Sequence, residues 1–373
     1  MQSGFFSILS LSTSIIFWLL SVLALVLIVI FWHKFSVHNF KNIFFRVSLL
    51  ILTHVLFISS ILLAINRSGN FYETWSDLFG WNNDLSKIAV SPQNLANISQ
   101  ADIKKAEHTK GGSLIFKKII TGENSKVSSY VYVVLSPKLV SNLESSPNFS
   151  IGDNYQVVEL FPGYPGVPST WISKMHGAEV IEQLEARNKI PPTVAIVPAI
   201  NVVPGLDTEC LNIPGTSEVE TWLTQDMFTF AQKFVGIDDR KWTSFGYSTG
   251  GWCAAVLGIR HQDQYNNAIS IAGYFEPSFS AGVTKRERVG LKDEYDLIKN
   301  LQKGNNSLKL LAIYAKQQGF ETRSFKTFFA KAQNLLPIKT VEIPEGGHNI
   351  STWRPYVYTG FEWLASNNLN NGK

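Results

Sequence analysis

Ser248 lies in Gly246-Tyr247-Ser248-Thr249-Gly250, a G-x-S-x-G pentapeptide. Small residues two places either side of a serine let a strand bend sharply into a helix and push the hydroxyl out at the sheet edge. A plain Gly/Ser loop can carry the same five residues, so the surroundings must decide. Strand-like WTSFG precedes the motif and apolar, helix-like GGWCAAVLGI follows it, which is the setting a nucleophilic serine needs. A serine hydroxyl attacks poorly at neutral pH unless a base takes its proton. His348, in PEGGHNISTW after the last strand-like segment, has the right place in the chain, and Gly346 and Gly347 give its loop freedom to reach the serine. His108 precedes the fold, His176 falls in a helical stretch and His261 follows the elbow helix, so all three compare poorly.

An acid that orients the imidazole belongs between serine and histidine, usually after the penultimate strand. Glu321 is the first carboxylate after LKLLAIYA, and Asp293, Glu294 and Asp296 in LKDEYD are upstream alternatives. Each of the four could equally be a solvated surface charge. Acyl transfer also needs donors for an oxyanion: the backbone N–H of Thr249, just after the nucleophile, and one from an earlier loop. ELFPGYPGVPSTW supplies that loop. Gly163 permits close approach, and Tyr164 is the choice for the second N–H because the surrounding prolines have none. An ordinary Pro/Gly turn is the competing reading. These residues together describe ester chemistry through an acyl-enzyme on Ser248, with no cofactor and no metal expected.

The elements that must hold these groups are legible as alternating patterns. SLIFKKIITG and SSYVYVVLSP predict an antiparallel hairpin. YQVVELF (155–161), TVAIVPA (193–199), WTSFG (242–246), NAISIAG (267–273), LKLLAIYA (308–315) and KTVEIPE (339–345) are short, mostly apolar strands of the buried type. Helical stretches at 170–188, 217–235 and 324–336 separate several of them. The alternation predicts an α/β fold with a mostly parallel sheet covered on both faces. No fixed-period repeat and no low-complexity tract is present.

Ahead of this domain, assigned to residues 113–373, residues 68–112 read as a linker with short helices and the aromatic cluster NFYETWSDLFGW. Residues 1–67 read as a membrane anchor. Leu9 to Trp32 carries no charge, and a second run, roughly Ile43 to Ile65, carries Arg46 near its start and His54 inside it; each is long enough to span a bilayer. The first run is too long for a signal peptide and no small-residue cleavage pattern follows it. His54 is expected to be an interfacial or helix-facing histidine. Lys34, Lys41 and Arg46, with no acid among them, predict a cytoplasmic loop, which puts both chain ends and the catalytic domain on the outer side.

The chain has 373 residues, 17% of them charged, and a net charge of only +4 without a dense basic run in the soluble part. Nucleic acid is therefore excluded as a partner. The two cysteines, Cys210 and Cys253, would be free to pair in an oxidising exterior, Cys253 just after the elbow and Cys210 in a loop expected above the same sheet edge. Two buried thiols are the other reading. Oligomeric state is open.

LFPGYPGVPSTW, DTECLN, VETWLTQDM, FGYSTGGWCAA and PEGGHNISTW, in that order, resemble the bacterial putative-esterase family that contains esterase D and the actinobacterial mycolyltransferases. The resemblance covers roughly residues 115 to 365. It implies an α/β-hydrolase fold, a Ser-His-acid triad and action on acyl esters, often of trehalose or envelope lipids. The paired cysteines DTEC and GGWCA are similar to those of membrane-anchored members and favour the disulfide. Two departures stand out: Pro162-Gly163 replaces the Asp-Gly pair of mycolyltransferases, and Gln318 lies where anchored esterases carry an aspartate. The expectation is a membrane-anchored serine hydrolase, a carboxylesterase or an acyltransferase of envelope lipids or glycolipids. The alternative is a non-catalytic envelope-binding protein whose hydrolase site has decayed.

Overall fold

A computed structural model describes residues 6–8, 10–32, 40–69, 75–78, 97–146, 150–279, 283–304, 306–316 and 319–369. The chain divides into two compact units, Met1–Asp84 and Leu85–Lys373.

In the first unit, helices Leu11–Phe31 and Phe40–Gly69 are long and apolar enough to cross a membrane, with mean hydropathies of 3.0 and 2.4 over their most apolar stretches. They pack through small side chains: Ser14, Ser21 and Ala24 are buried, and Ser21 Oγ donates to the Thr53 carbonyl at 3.3 Å. Their large apolar side chains point outward instead, Leu23 52% and Ile58 53% exposed. His54 Nδ1 lies 2.8 Å from the Leu50 carbonyl and so bonds within its own helix. Lys34 and the aromatic cluster other than Trp75–Leu78 lie outside the described residues.

In the second unit the strands are β1 (Glu107–His108), β2 (Leu114–Thr121), β3 (Ser128–Leu135), β4 (Gln156–Phe161), β5 (Thr193–Pro198), β6 (Asn212–Ile213), β7 (Ser217–Glu218), β8 (Trp242–Tyr247), β9 (Tyr265–Ile271), β10 (Lys309–Ala315) and β11 (Ile338–Ile343). Nine of them form one sheet in the order β1-β2-β3-β5-β4-β8-β9-β10-β11, and β6 pairs with β7 alone. From β5 to β11 the neighbours run parallel, while β1, β2 and β3 are antiparallel. This is the α/β-hydrolase architecture. β5 and β8 are buried along their whole length, as strands covered by helices on both faces must be. Trp222, Trp252 and Phe234 fill one side of the sheet; Trp171, Phe245 and Phe361 fill the other.

The register aligns the strand ends that matter. Phe161 at the end of β4 pairs with Gly246 of β8, and Tyr247 pairs with Ile271, the last residue of β9. Loops leaving β4, β8, β10 and β11 therefore emerge at one edge, the carboxyl edge where open parallel sheets bind ligands.

Several elements depart from expectation. The helix expected over 170–188 is two, Thr170–Ser173 and Gly177–Ala186, because His176 adopts φ 55° between them; His176 caps a helix rather than lying inside one. The stretch 217–235 opens as β7 and widens to a π-turn at Trp222–Asp226. That turn carries Asp226, whose carboxylate accepts from the backbone N–H groups of Asn124 and Ser125 and ties down the β2–β3 connection. Part of the expected linker belongs to the second unit: Ile98 is 3% exposed, Gln100–Lys105 is a capped helix, and β1 pairs with β2. His108, placed before the fold by sequence, is therefore in the edge strand. The edge it occupies would otherwise present unpaired backbone groups.

Candidate active site

The turn after β8 is crowded by backbone on every side. A Cβ built on Gly246 would lie 1.9 Å from the Gly250 carbonyl oxygen, and one on Gly250 would lie 2.2 Å from that of Phe161 and 2.4 Å from that of Pro162. Only hydrogens fit at these two positions. Between them Ser248 is held at φ 56°, ψ −127°, a conformation that costs a residue with a Cβ on the order of 1–3 kcal/mol and persists only where its surroundings impose it. Its N–H donates to the Ile271 carbonyl at 2.9 Å, and its own carbonyl accepts from Gly251 and Trp252 as the helix Thr249–Arg260 begins.

One face of that helix is tied to the loop after β5. Thr249 Oγ1 donates to Asp207 Oδ2 at 3.0 Å, Trp252 Nε1 donates to the Glu209 carbonyl at 2.9 Å, and Cys253 is joined to Cys210 by a disulfide with Cα atoms 5.6 Å apart. Residues 249, 252 and 253 share a helix face, so three successive attachments fall on one line. Glu209 and Cys210 take left-handed φ of 52° and 59° to meet them. Burial raises the Asp207 carboxyl to about 6; it raises Glu209 to about 7, with the charge of Asp207 adding to the effect.

His348 reaches the serine from the loop after β11. Ser248 Oγ and His348 Nε2 are 2.8 Å apart, so the hydroxyl can donate to a neutral imidazole. Gly346, at φ 125°, makes the bend possible, and the ring meets Trp353 edge-on at 4.5 Å. Burial holds the imidazole below its ordinary value, while the carboxylate of Glu321 acts the other way.

Glu321 sits in the first turn of the helix Gly319–Ala332, just beyond β10. Its Oε1 is 3.7 Å from His348 Nδ1, a charge contact rather than a hydrogen bond. The other acids are engaged elsewhere. Asp296 caps the helix Leu297–Gln302, Asp293 pairs with Lys299, and Glu294 lies 3.5 Å from Arg260. His261 is 2.7 Å from Glu220, not from the serine.

The loop after β4 lies against the nucleophile: a Cβ on Gly163 would be 3.1 Å from the Ser248 Cβ. Thr249, as the first helical residue, has an N–H with no partner inside the helix. Sequence reasoning missed Asn201, whose side-chain amide holds this loop, and the contact of Asp207 with Thr249. Neither carries a local signal, since each depends on a loop folding over a helix far along the chain. The geometry as a whole suits attack by a serine hydroxyl on a carbonyl carbon. Among the described residues no cluster of His, Cys, Asp and Glu has the arrangement of a metal site.

Comparison with known proteins agrees in kind. A family model described as putative esterase matches residues 145–364. An uncharacterized protein of Corynebacterium glutamicum is 26% identical over 227 residues, covering 56% of this chain; the chain spans about half, 52%, of that curated relative. Among solved structures, a ferulic acid esterase superposes with TM-score 0.57 at 17% identity, over 68% of this chain and 98% of its own. An S-formylglutathione hydrolase from Agrobacterium tumefaciens gives 0.56 at 15%, over 70% and 97%. The fluorophosphonate-binding serine hydrolase FphF of Staphylococcus aureus gives 0.54 at 14%, over 68% and 98%. At such identities the structural likeness speaks for the fold.

Proposed function

The chain belongs to the putative-esterase family, and on that premise we propose that it cleaves acyl esters through an acyl-enzyme on Ser248. The observation that carries this reading is the 2.8 Å approach of His348 Nε2 to a serine hydroxyl held on a strained elbow. His348 takes the proton as Ser248 Oγ attacks the ester carbonyl carbon. The backbone N–H groups of Thr249 and Tyr164 receive the oxyanion, and His348 returns the proton to the departing alcohol. Water, activated by the same imidazole, then releases the acid; an alcohol of an envelope lipid or sugar in its place would make the protein an acyltransferase. The test is p-nitrophenol release from a short-chain p-nitrophenyl ester by the full chain in detergent, with a fluorophosphonate label mapped to Ser248. No turnover and no label would favour the second reading, a non-catalytic binder of envelope components.

Glu321 is the proposed acid, and its distance from the imidazole shapes what its loss should do. The base must be neutral to act, so kcat/KM falls as pH drops through the His348 value, and that acid limb should centre below 6.5. The charge of Glu321 raises that value in part. Glu321→Gln should therefore lower kcat about 10²- to 10⁴-fold and move the acid limb to still lower pH. Asp293→Asn and Asp296→Asn should leave both kcat and the limb unchanged, and a collapse of kcat in either would transfer the role to that residue.

The helices Leu11–Phe31 and Phe40–Arg67 support an anchor in the cell membrane, crossing twice. Lys41 and Arg46 near the start of the second helix, with Lys34 before it, support a cytoplasmic loop and a hydrolase domain outside. Protease added to intact spheroplasts should then digest the hydrolase domain. Digestion only after lysis would reverse the orientation.

A further inference from the structure

We propose that Asn201 is a positioning residue that aims the Tyr164 N–H at the reacting carbonyl, an inference resting on the acyl-enzyme reading. Asn201 lies just past the end of β5, and its Nδ2 donates to two carbonyl oxygens of the neighbouring loop, Gly163 at 3.2 Å and Gly166 at 2.7 Å. Because both partners are carbonyls, the amide nitrogen and not its oxygen must face them.

The loop needs a donor from outside. Pro162, Pro165 and Pro168 remove three N–H groups from residues 162–168, so the loop has few of its own to satisfy its carbonyls. Gly166 is pressed against the same group: a Cβ there would lie 2.9 Å from the Gly163 oxygen. The Gly163 carbonyl and the Tyr164 N–H belong to one planar peptide unit, in which they point in opposite directions. Holding the carbonyl on the Asn201 side therefore turns the N–H to the other side. A Cβ on Gly163 would lie 3.1 Å from the Ser248 Cβ, which places this peptide beside the nucleophile. Without the amide the peptide could rotate and present its oxygen, rather than its N–H, to a developing negative charge.

The experiment compares the full-length wild type with Asn201→Leu in detergent. Loss of one oxyanion donor costs about 10²- to 10³-fold, and loss of its alignment should cost about 10- to 100-fold in kcat with KM changed less than threefold. Inhibition by a trifluoromethyl ketone, which forms an oxyanion on the nucleophile, should weaken by the same factor. A role in stability alone would not link those two losses. If the leucine variant does not fold, Asn201→Asp, equal in size but unable to donate when ionised, should give the same paired losses. A folded variant with kcat within twofold of wild type, or with undiminished ketone affinity, overturns the proposal. Should the wild type itself show no turnover and no labelling, the esterase reading fails separately. A crystal structure of the folded variant then decides: a rotated Gly163–Tyr164 peptide upholds the role of Asn201, and an unmoved one refutes it.

Discussion

Ser248→Ala should lower ester turnover on the order of 10⁵- to 10⁶-fold and abolish fluorophosphonate labelling, while the folded structure survives. The size follows from the role: without the hydroxyl no acyl-enzyme forms, and what remains comes from binding and the oxyanion donors alone. The fold should survive because alanine occupies the same backbone conformation as serine at φ 56°, with the Ser248 N–H still bonded to the Ile271 carbonyl. A companion variant separates strain from chemistry. Ser248→Gly loses activity equally but needs no forbidden Cβ position, so its stability should rise by about 1 kcal/mol and its Tm by about 2–4 °C. Steady-state kinetics and thermal unfolding of both variants provide the check. Residual turnover above one part in a hundred would remove Ser248 from the mechanism.

Gly250→Ala should damage fold and activity together. The added carbon would sit 2.2 Å from the Phe161 oxygen and 2.4 Å from the Pro162 oxygen, both backbone atoms with no rotamer to escape into. The helix must back away from β4 or the turn after β4 must move. Either response shifts Thr249 against Gly163 and spoils the alignment of the two proposed oxyanion donors. A cost of about 3 kcal/mol or more is expected, at the upper end for overpacking because nothing nearby is flexible. In whatever fraction folds, kcat should drop more than about 100-fold, since small displacements at a reacting centre cost that much. Denaturant unfolding would measure the first effect and active-site titration with a fluorophosphonate would correct the second for folded enzyme. Gly290→Ala, in the helix Lys285–Glu294 with open space around the missing Cβ, is the control: it should leave kcat unchanged and raise stability by up to about 1 kcal/mol.

Strand and helix periods are properties of neighbouring residues, and those parts of the molecule were legible in the sequence alone. β4, β5, β8, β9 and β10 are apolar runs because they are covered on both faces, and the alternation of such runs with amphipathic stretches dictates a parallel sheet; β11, expected to be of the same buried type, lies at the sheet edge and buries only Ile343. The elbow was legible for the same reason: Gly246 and Gly250 lie within two residues of Ser248, and their crowding is a local fact of one turn. Two long apolar helices could be read from hydropathy. His348 was named by chain order and by its glycines, but its 2.8 Å approach to a serine 100 residues away exists only because β8 and β11 end at one edge of the sheet.

Tertiary structure alone decided what no local pattern encodes. The left-handed turn at His176 and the π-turn that presents Asp226 to the β2–β3 connection interrupt stretches whose periodicity is helical throughout. Residues 97–112 look like a polar linker, yet they join the sheet because its edge needs a partner and the pocket for Ile98 comes from elsewhere in the chain. Of the four candidate acids, Asp296 caps a helix, Asp293 pairs with a lysine and Glu294 faces an arginine, while Glu321 lies 3.7 Å from the imidazole; these contacts support the proposal of Glu321, and none of them is a local property of the sequence. Asn201 is the plainest case. An asparagine three residues past a strand is unremarkable in sequence, and its bearing on the site arises from a proline-rich loop 35 to 38 residues upstream that lacks the donors to satisfy its own carbonyls.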